Sequence, residues 1–245
     1  MISSDIIGAS ILLGYYLIVV ATIPTLVKKY IRIPTELVRK GQHIGYSLSI
    51  FLLLRLFSTW YMAIFAALLL LGIGFPFLLI CERLPLYKKV FVIDRSKRGG
   101  ELRKQLVYVQ LSFAALIAVF WGLLGIRSNY VVAVAVMAWG FGDAAAALVG
   151  KAFGRRHVLH RYIERAKTFE GMAAMMAVAG AAAFFTLLIY GRQPWHVSLL
   201  VSMVVAPVCG VVELFSRKGT DTLTVPFSAA VVILPLVNLL SMLSL

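Results

Sequence analysis

The chain has 245 residues, 61% of them hydrophobic and 14% charged, with a mean hydropathy of +0.93 and a formal net charge of +14. That composition excludes an ordinary soluble domain and identifies an integral membrane protein. The basic residues are spread over several loops rather than gathered on a soluble module, so nucleic acid is not expected as a partner; membrane topology and anionic headgroups account for the charge.

In chain order, apolar stretches occur at about 6–27, 44–57, 61–80, 106–125, 130–150, 172–190, 197–215 and 223–243, predicting an all-α fold of eight transmembrane helices. The second stretch is short for a crossing unless its helix extends back through Glu36 to His43. Charge supports keeping it. With eight spans, all but three of the 24 Lys and Arg residues fall in loops on one side, the exceptions being Arg55, Arg127 and Arg192. The positive-inside rule makes those loops cytoplasmic and places both termini outside. The first helix is expected to be retained, in the cytoplasmic membrane of a prokaryote. Cys81 and Cys209 form neither a disulfide framework nor a metal motif. With no long polar segment and no internal repeat, residues 1–245 read as one integral-membrane catalytic domain.

The fifth span carries Asp143 within an otherwise hydrocarbon-compatible sequence. An ionised carboxylate there is costly unless a cation, a water-filled cavity or a metal meets it. Asp143 precedes Lys151 by eight residues, which on a helix is about 12 Å from the cytoplasmic end. Glu213, near the inner end of the seventh span, and Asp221, at the start of the eighth, are expected at a similar depth. Three carboxylates without a His or Cys cluster suit Mg2+, which keeps waters and binds phosphates through one or two carboxylates.

Gly142, Ala146, Gly150 and Gly154 recur every four residues as a small-residue stripe that allows close approach of another helix, and the next span begins with an equally small face including Ala173, Ala177 and Ala181, read as tight packing. Gly150 and Gly154 sit among Lys151, Arg155 and Arg156, a setting that lets backbone amides and cations approach phosphate. The segment is not a P-loop, because Lys151 is followed by Ala152 and the upstream glycine spacing is wrong. Further on, Lys167 can hold a phosphate, Thr168 can cap the following helix, and Glu170 and Gly171 complete the segment at a helix start whose dipole favours anions. His157 and His160 read as solvated loop histidines. Upstream, Glu36, Arg39 or Lys40, and His43 share one helical face at the cytoplasmic entrance of the second span.

Four segments, E-x-x-R-K-x-x-H from Glu36, D-A-A-A-A-x-x-G-K-x-F-G-R from Asp143, K-T-x-E-G from Lys167 and E-L-F-S-R-K-G-T-D-T-L-T-V-P from Glu213, span residues 36–226. Together they resemble the phytol, farnesol and dolichol kinase family of CTP-using membrane lipid kinases, itself distantly similar to CDP-diacylglycerol synthases. The resemblance implies a nucleotide and metal site built from Asp143, the loop from Gly150 to Arg156, Lys167 to Gly171, and Glu213 with Asp221. The family often has Asp-Asn where this chain has Asp221-Thr222. The implied reaction transfers the γ-phosphate of CTP, with Mg2+, to the hydroxyl of a lipid alcohol that enters from the bilayer. Asp143 and Asp221, with Glu213 as a third ligand, would hold Mg2+, and Lys151, Arg155, Arg156 and Lys167 would balance phosphate charge. His43 is the candidate for deprotonating or orienting the hydroxyl. A cytidylyltransferase acting on a lipid phosphate and a membrane transporter are the alternatives. The latter is disfavoured by the clustering of acids at one face instead of the midplane.

Overall fold

The computed structural model describes residues 2–31, 33–83, 100–158, 161, 163–164, 166–216 and 219–243. Among these the protein is helical, with an isolated antiparallel bridge between His157 and Thr168 and no strands. Among the described residues, seven helices are long and apolar enough to cross a membrane. An eighth, Thr35–Leu56, has 22 residues but a more polar sequence. It is about 33 Å long at 1.5 Å per residue. Its start at Thr35 shows how the short second apolar stretch gains length: the helix continues back through the polar run to Glu36.

Two compact units are described, Met1–Ala118 and Val119–Leu245. In the first, helices α1 (Ile2–Tyr15) and α2 (Ile23–Tyr30) are joined by a π-helical stretch, Tyr16–Thr22. The cause of the irregularity is local. Pro24 has no N–H to give the carbonyl four residues before it, that of Val20. Gln42 of α3 (Thr35–Leu56) donates to that carbonyl from Nε2 at 2.8 Å, satisfying a backbone group that lipid cannot. At the other end of α1, Asp5 accepts hydrogen bonds from the Ser58 backbone N–H and hydroxyl, each at 2.9 Å. This carboxylate ties α1 to the turn between α3 and α4 (Trp60–Arg83). The unit is completed by α5 (Glu101–Leu116), whose start is held by Glu82, bonded to Gly100 N–H and to Arg103.

The second unit is built around α6 (Asn129–Phe153). From Val131 to Gly140 every residue of this helix is buried, which is why it reads as apolar on all faces and not as amphipathic. Helices α7 (Phe169–Ile189) and α9 (Asp221–Met242) pack against it, and α8 (Trp195–Phe215) packs against both of those.

Gly142, Ala146 and Gly150 of the small-residue stripe lie in the α6–α7 seam, but the expected packing face at Ala173, Ala177 and Ala181 is exposed; α7 turns Gly171, Met175 and Ala179 toward α6 instead. A Cβ added at Gly142 would lie 2.6 Å from Met175 Sδ and 2.9 Å from Ala179 Cβ. One at Gly171 would lie 2.9 Å from the Ala146 carbonyl oxygen. Such backbone approach is what small residues allow between membrane helices, where dispersion replaces the hydrophobic effect as the cohesive force.

Candidate active site

Asp143 is buried in the C-terminal half of α6, at 7% relative exposure. One turn before it, on the same helical face, Trp139 is fully buried and directs its indole N–H toward Asp221 Oδ2 at 3.5 Å. Asp221 stands in the first turn of α9, after a turn that requires a positive φ at Gly219. The α6–α9 packing therefore brings Asp221 to Trp139, one turn before Asp143. Sequence reasoning passed over Trp139, although its i, i+4 relation to Asp143 was available as a signal.

Glu213 is engaged differently. Lys167 donates from Nζ to Glu213 Oε1 at 2.7 Å and also to the Glu213 backbone carbonyl, making a half-buried ion pair between the segment before α7 and the end of α8. Lys167 and Glu213 thus neutralise each other in this conformation. Among the described residues no three His, Cys, Asp or Glu side chains form a group able to hold a metal ion. Mg2+ that keeps waters and binds phosphates asks for only one or two carboxylates, so with Glu213 engaged by Lys167 the expected ligands that remain are Asp143 and Asp221.

The basic segment after α6 is folded back on the start of α7. Val158 N–H bonds to the Lys167 carbonyl and Phe169 N–H to the Arg156 carbonyl, both at 3.0 Å. Beneath this pairing, Val158, Ile163 and Leu214 form a small apolar cluster with Met172, anchoring the segment to the end of α8. Lys151, Arg155, Arg156 and His157 are exposed around it, leaving their charges at the surface. His160 lies outside the described residues.

Thr168 is the N-cap of α7, its hydroxyl accepting from Gly171 N–H at 3.1 Å, as its position before an apolar run predicts. It is also the residue around which the glycines close. A Cβ at Gly150 would come 3.1 Å from Thr168 Oγ1, and one at Gly154 would come 2.7 Å from Thr168 Cγ2. The Gly154 N–H bonds to the Gly150 carbonyl at 3.1 Å, so that amide, like that of Gly171, has a partner within the protein. Glu170 sets both carboxylate oxygens 3.3 Å from the Arg156 N–H. Gly150, Gly154, Thr168, Glu170 and Gly171 accordingly build the close α6–α7 junction that holds Lys151, Arg155 and Arg156 beside a helix N-terminus.

In the first unit, Glu36 and Arg39 form an ion pair along α3, with Glu36 buried. Lys40 and His43 are buried as well. His43 Nδ1 lies 3.1 Å from Gln105 Nε2 of α5. Gln105 was not singled out from sequence, since an amide one turn inside an apolar helix has no motif to announce it.

The fold and site define a multi-pass, all-helical membrane protein whose second unit buries Asp143 and Glu213 and exposes Lys151, Arg155 and Arg156 at the end of α6. The sequence is similar to a phytol kinase from Synechocystis sp., 29% identical over 204 residues that cover 81% of this chain and 78% of that protein. No family model matches the chain, and no solved structure matches it.

Proposed function

We propose that the protein is an integral-membrane lipid kinase that transfers the γ-phosphate of CTP to the hydroxyl of a lipid alcohol, such as phytol, farnesol, a polyprenol or diacylglycerol, at the cytoplasmic face of a prokaryotic membrane. The similarity to a phytol kinase along most of both chains carries this reading. The grouping of Asp143, Asp221, Lys167 and the exposed Lys151, Arg155 and Arg156 within the second unit supports it chemically.

The lipid oxygen bonds to the γ-phosphorus as the bond to the β–γ bridging oxygen breaks, and CDP leaves. A loose transition state of this kind needs positioning and charge neutralisation more than covalent help from the protein. Mg2+ held by Asp143 and Asp221 would offset charge on the triphosphate. Lys151, Arg155 and Arg156 add positive charge from the surface. Lys167 would have to exchange part of its contact with Glu213 for phosphate, and Glu213 would then be released as a further oxygen ligand.

For His43, the Gln105 amide nitrogen donates to Nδ1, which places the proton of a neutral ring on Nε2. In that tautomer His43 orients the hydroxyl by donating to its oxygen. The alcohol proton then leaves late, to the transferred phosphoryl group or to water.

The test is purified protein with labelled CTP or ATP and a panel of lipid alcohols. Label in a lipid monophosphate and release of CDP support the proposal. Release of pyrophosphate with a CDP-linked lipid would indicate nucleotidyl transfer instead, and no labelled lipid with any alcohol would remove the reading.

A further inference from the structure

Within the first unit, α1, the π-helical stretch after it, α3, α4 and α5 border a half-open cavity of about 200 Å³. Its wall is apolar over most of its area, with Leu17, Val20, Phe77 and Leu106 among the lining residues, and no ionised side chain faces it. Gln42 also lines it and is only 3% exposed. The orientation of this amide is fixed by chemistry. Nε2 donates to the Val20 carbonyl that Pro24 cannot serve, so Oε1 is turned away from that carbonyl, and it has no hydrogen-bond partner. A buried amide oxygen left without a donor is costly, and such atoms are rare in folded proteins.

The missing donor is a specific request. Water is a poor answer, since it needs two to four polar partners and this wall is nearly all hydrocarbon. The Tyr16 hydroxyl, which also borders the cavity, is already bonded to Ser49 and Gln110. A cation would meet no countercharge, and a phosphate would set its oxygens against another acceptor. What fits is an apolar molecule with one neutral O–H.

We infer that this cavity is the acceptor-lipid site: it takes the alcohol end of a neutral lipid, whose hydroxyl donates to Gln42 Oε1. The inference rests on the lipid-alcohol reading above and extends it to a place and a selectivity. Gln42 immediately precedes His43, and Leu102 and Leu106, which line the cavity, flank Gln105 on α5. Two of the helices that build the wall, α3 and α5, therefore also carry the His43–Gln105 pair. A further consequence concerns turnover. Phosphorylation converts a donor hydroxyl into an anionic acceptor, which this uncharged wall and the Gln42 oxygen repel, so the site binds substrate and rejects product.

The test measures binding without nucleotide, on the full-length protein in lipid nanodiscs, with tritiated farnesol as probe and the matching hydrocarbon and farnesyl phosphate as competitors. The wild type should prefer the alcohol to the hydrocarbon by about tenfold, the scale of one net hydrogen bond, and to the phosphate by at least as much. Gln42→Leu should abolish the preference for alcohol over hydrocarbon. Ala21→Phe, which fills the cavity while leaving Gln42 in place, should weaken both, and thermal unfolding checks that each variant is folded. Unchanged alcohol preference in Gln42→Leu, or unchanged farnesol binding in folded Ala21→Phe, overturns the assignment. Failure of the kinase reading is distinguishable. Binding with this selectivity but no phosphorylation by any nucleotide would remove the activity and keep the site, whereas phosphorylation at wild-type KM in Ala21→Phe would do the reverse.

Discussion

Lys167 and Glu213, 46 residues apart, are joined twice, by an ion pair with Nζ 2.7 Å from Oε1 and by donation from the same ammonium to the Glu213 backbone carbonyl. The pair is half-buried at the end of α8, so removing either partner leaves a charge poorly compensated. Lys167→Met and Glu213→Gln should each lower stability by about 1–3 kcal/mol. The double variant should cost clearly less than the sum, which thermal unfolding in detergent can measure as a double-mutant cycle. Strict additivity would mean that the pair contributes nothing to the fold. Activity adds a second reading: a shifted Mg2+ midpoint in Glu213→Gln would mark Glu213 as a ligand during turnover, and an unshifted one would leave it a partner of Lys167 alone.

The glycines of the α6–α7 seam make a sharper prediction about packing. Gly142→Ala must displace Met175 and Ala179, and Gly171→Ala meets the Ala146 carbonyl, a backbone atom that cannot swing aside. Each should destabilise by about 1–3 kcal/mol, the usual cost of overpacking. Gly72→Ala is the control, because nothing lies within 4 Å of the added carbon. It should be neutral or slightly stabilising, as expected for alanine replacing glycine inside a helix. Comparable melting temperatures for all three would show that the seam is not tightly packed.

The helical elements were legible in the sequence because bilayer thickness forces long apolar runs, and Asp143 was legible because an acid in such a run has few explanations. The Thr168 cap was legible too, since its chemistry is local. What the sequence could not display were relations across long separations. Glu213 and Lys167 each read as a ligand for something external, yet each is the other's partner. Gly150 and Gly154 sit among basic residues in a setting that lets phosphate approach, and the sequence could not show that their missing side chains also make room for Thr168. The π-helical stretch before Pro24 and the donation from Gln42 that accompanies it have no periodic signature, for they arise from one absent N–H.

Sidedness follows from the distribution of basic residues and can be tested at described, exposed positions. In a background with Cys81 and Cys209 replaced by serine, Arg155→Cys should react with an impermeant maleimide only in inverted membranes, and Arg127→Cys only in intact cells. Labelling of both from the same side would overturn the expected topology.

The mechanism depends most on Asp143. Asp143→Asn preserves volume and hydrogen-bonding capacity while removing the charge, so the protein should fold and insert. Lipid phosphorylation should nevertheless fall by at least about 10²-fold, the scale seen when one preorganised electrostatic element is lost. Asp221→Asn should behave similarly if the two carboxylates share one ion. In that case the residual activity of each variant should require more Mg2+ than the wild type does. A carboxylate serving only the fold predicts a different pattern, with a lowered melting temperature, near-normal turnover in the folded fraction and an unchanged Mg2+ midpoint. The measurement is therefore turnover per folded molecule across a Mg2+ titration. Near wild-type rates for Asp143→Asn would remove this residue from the metal site and with it the proposed location of the triphosphate.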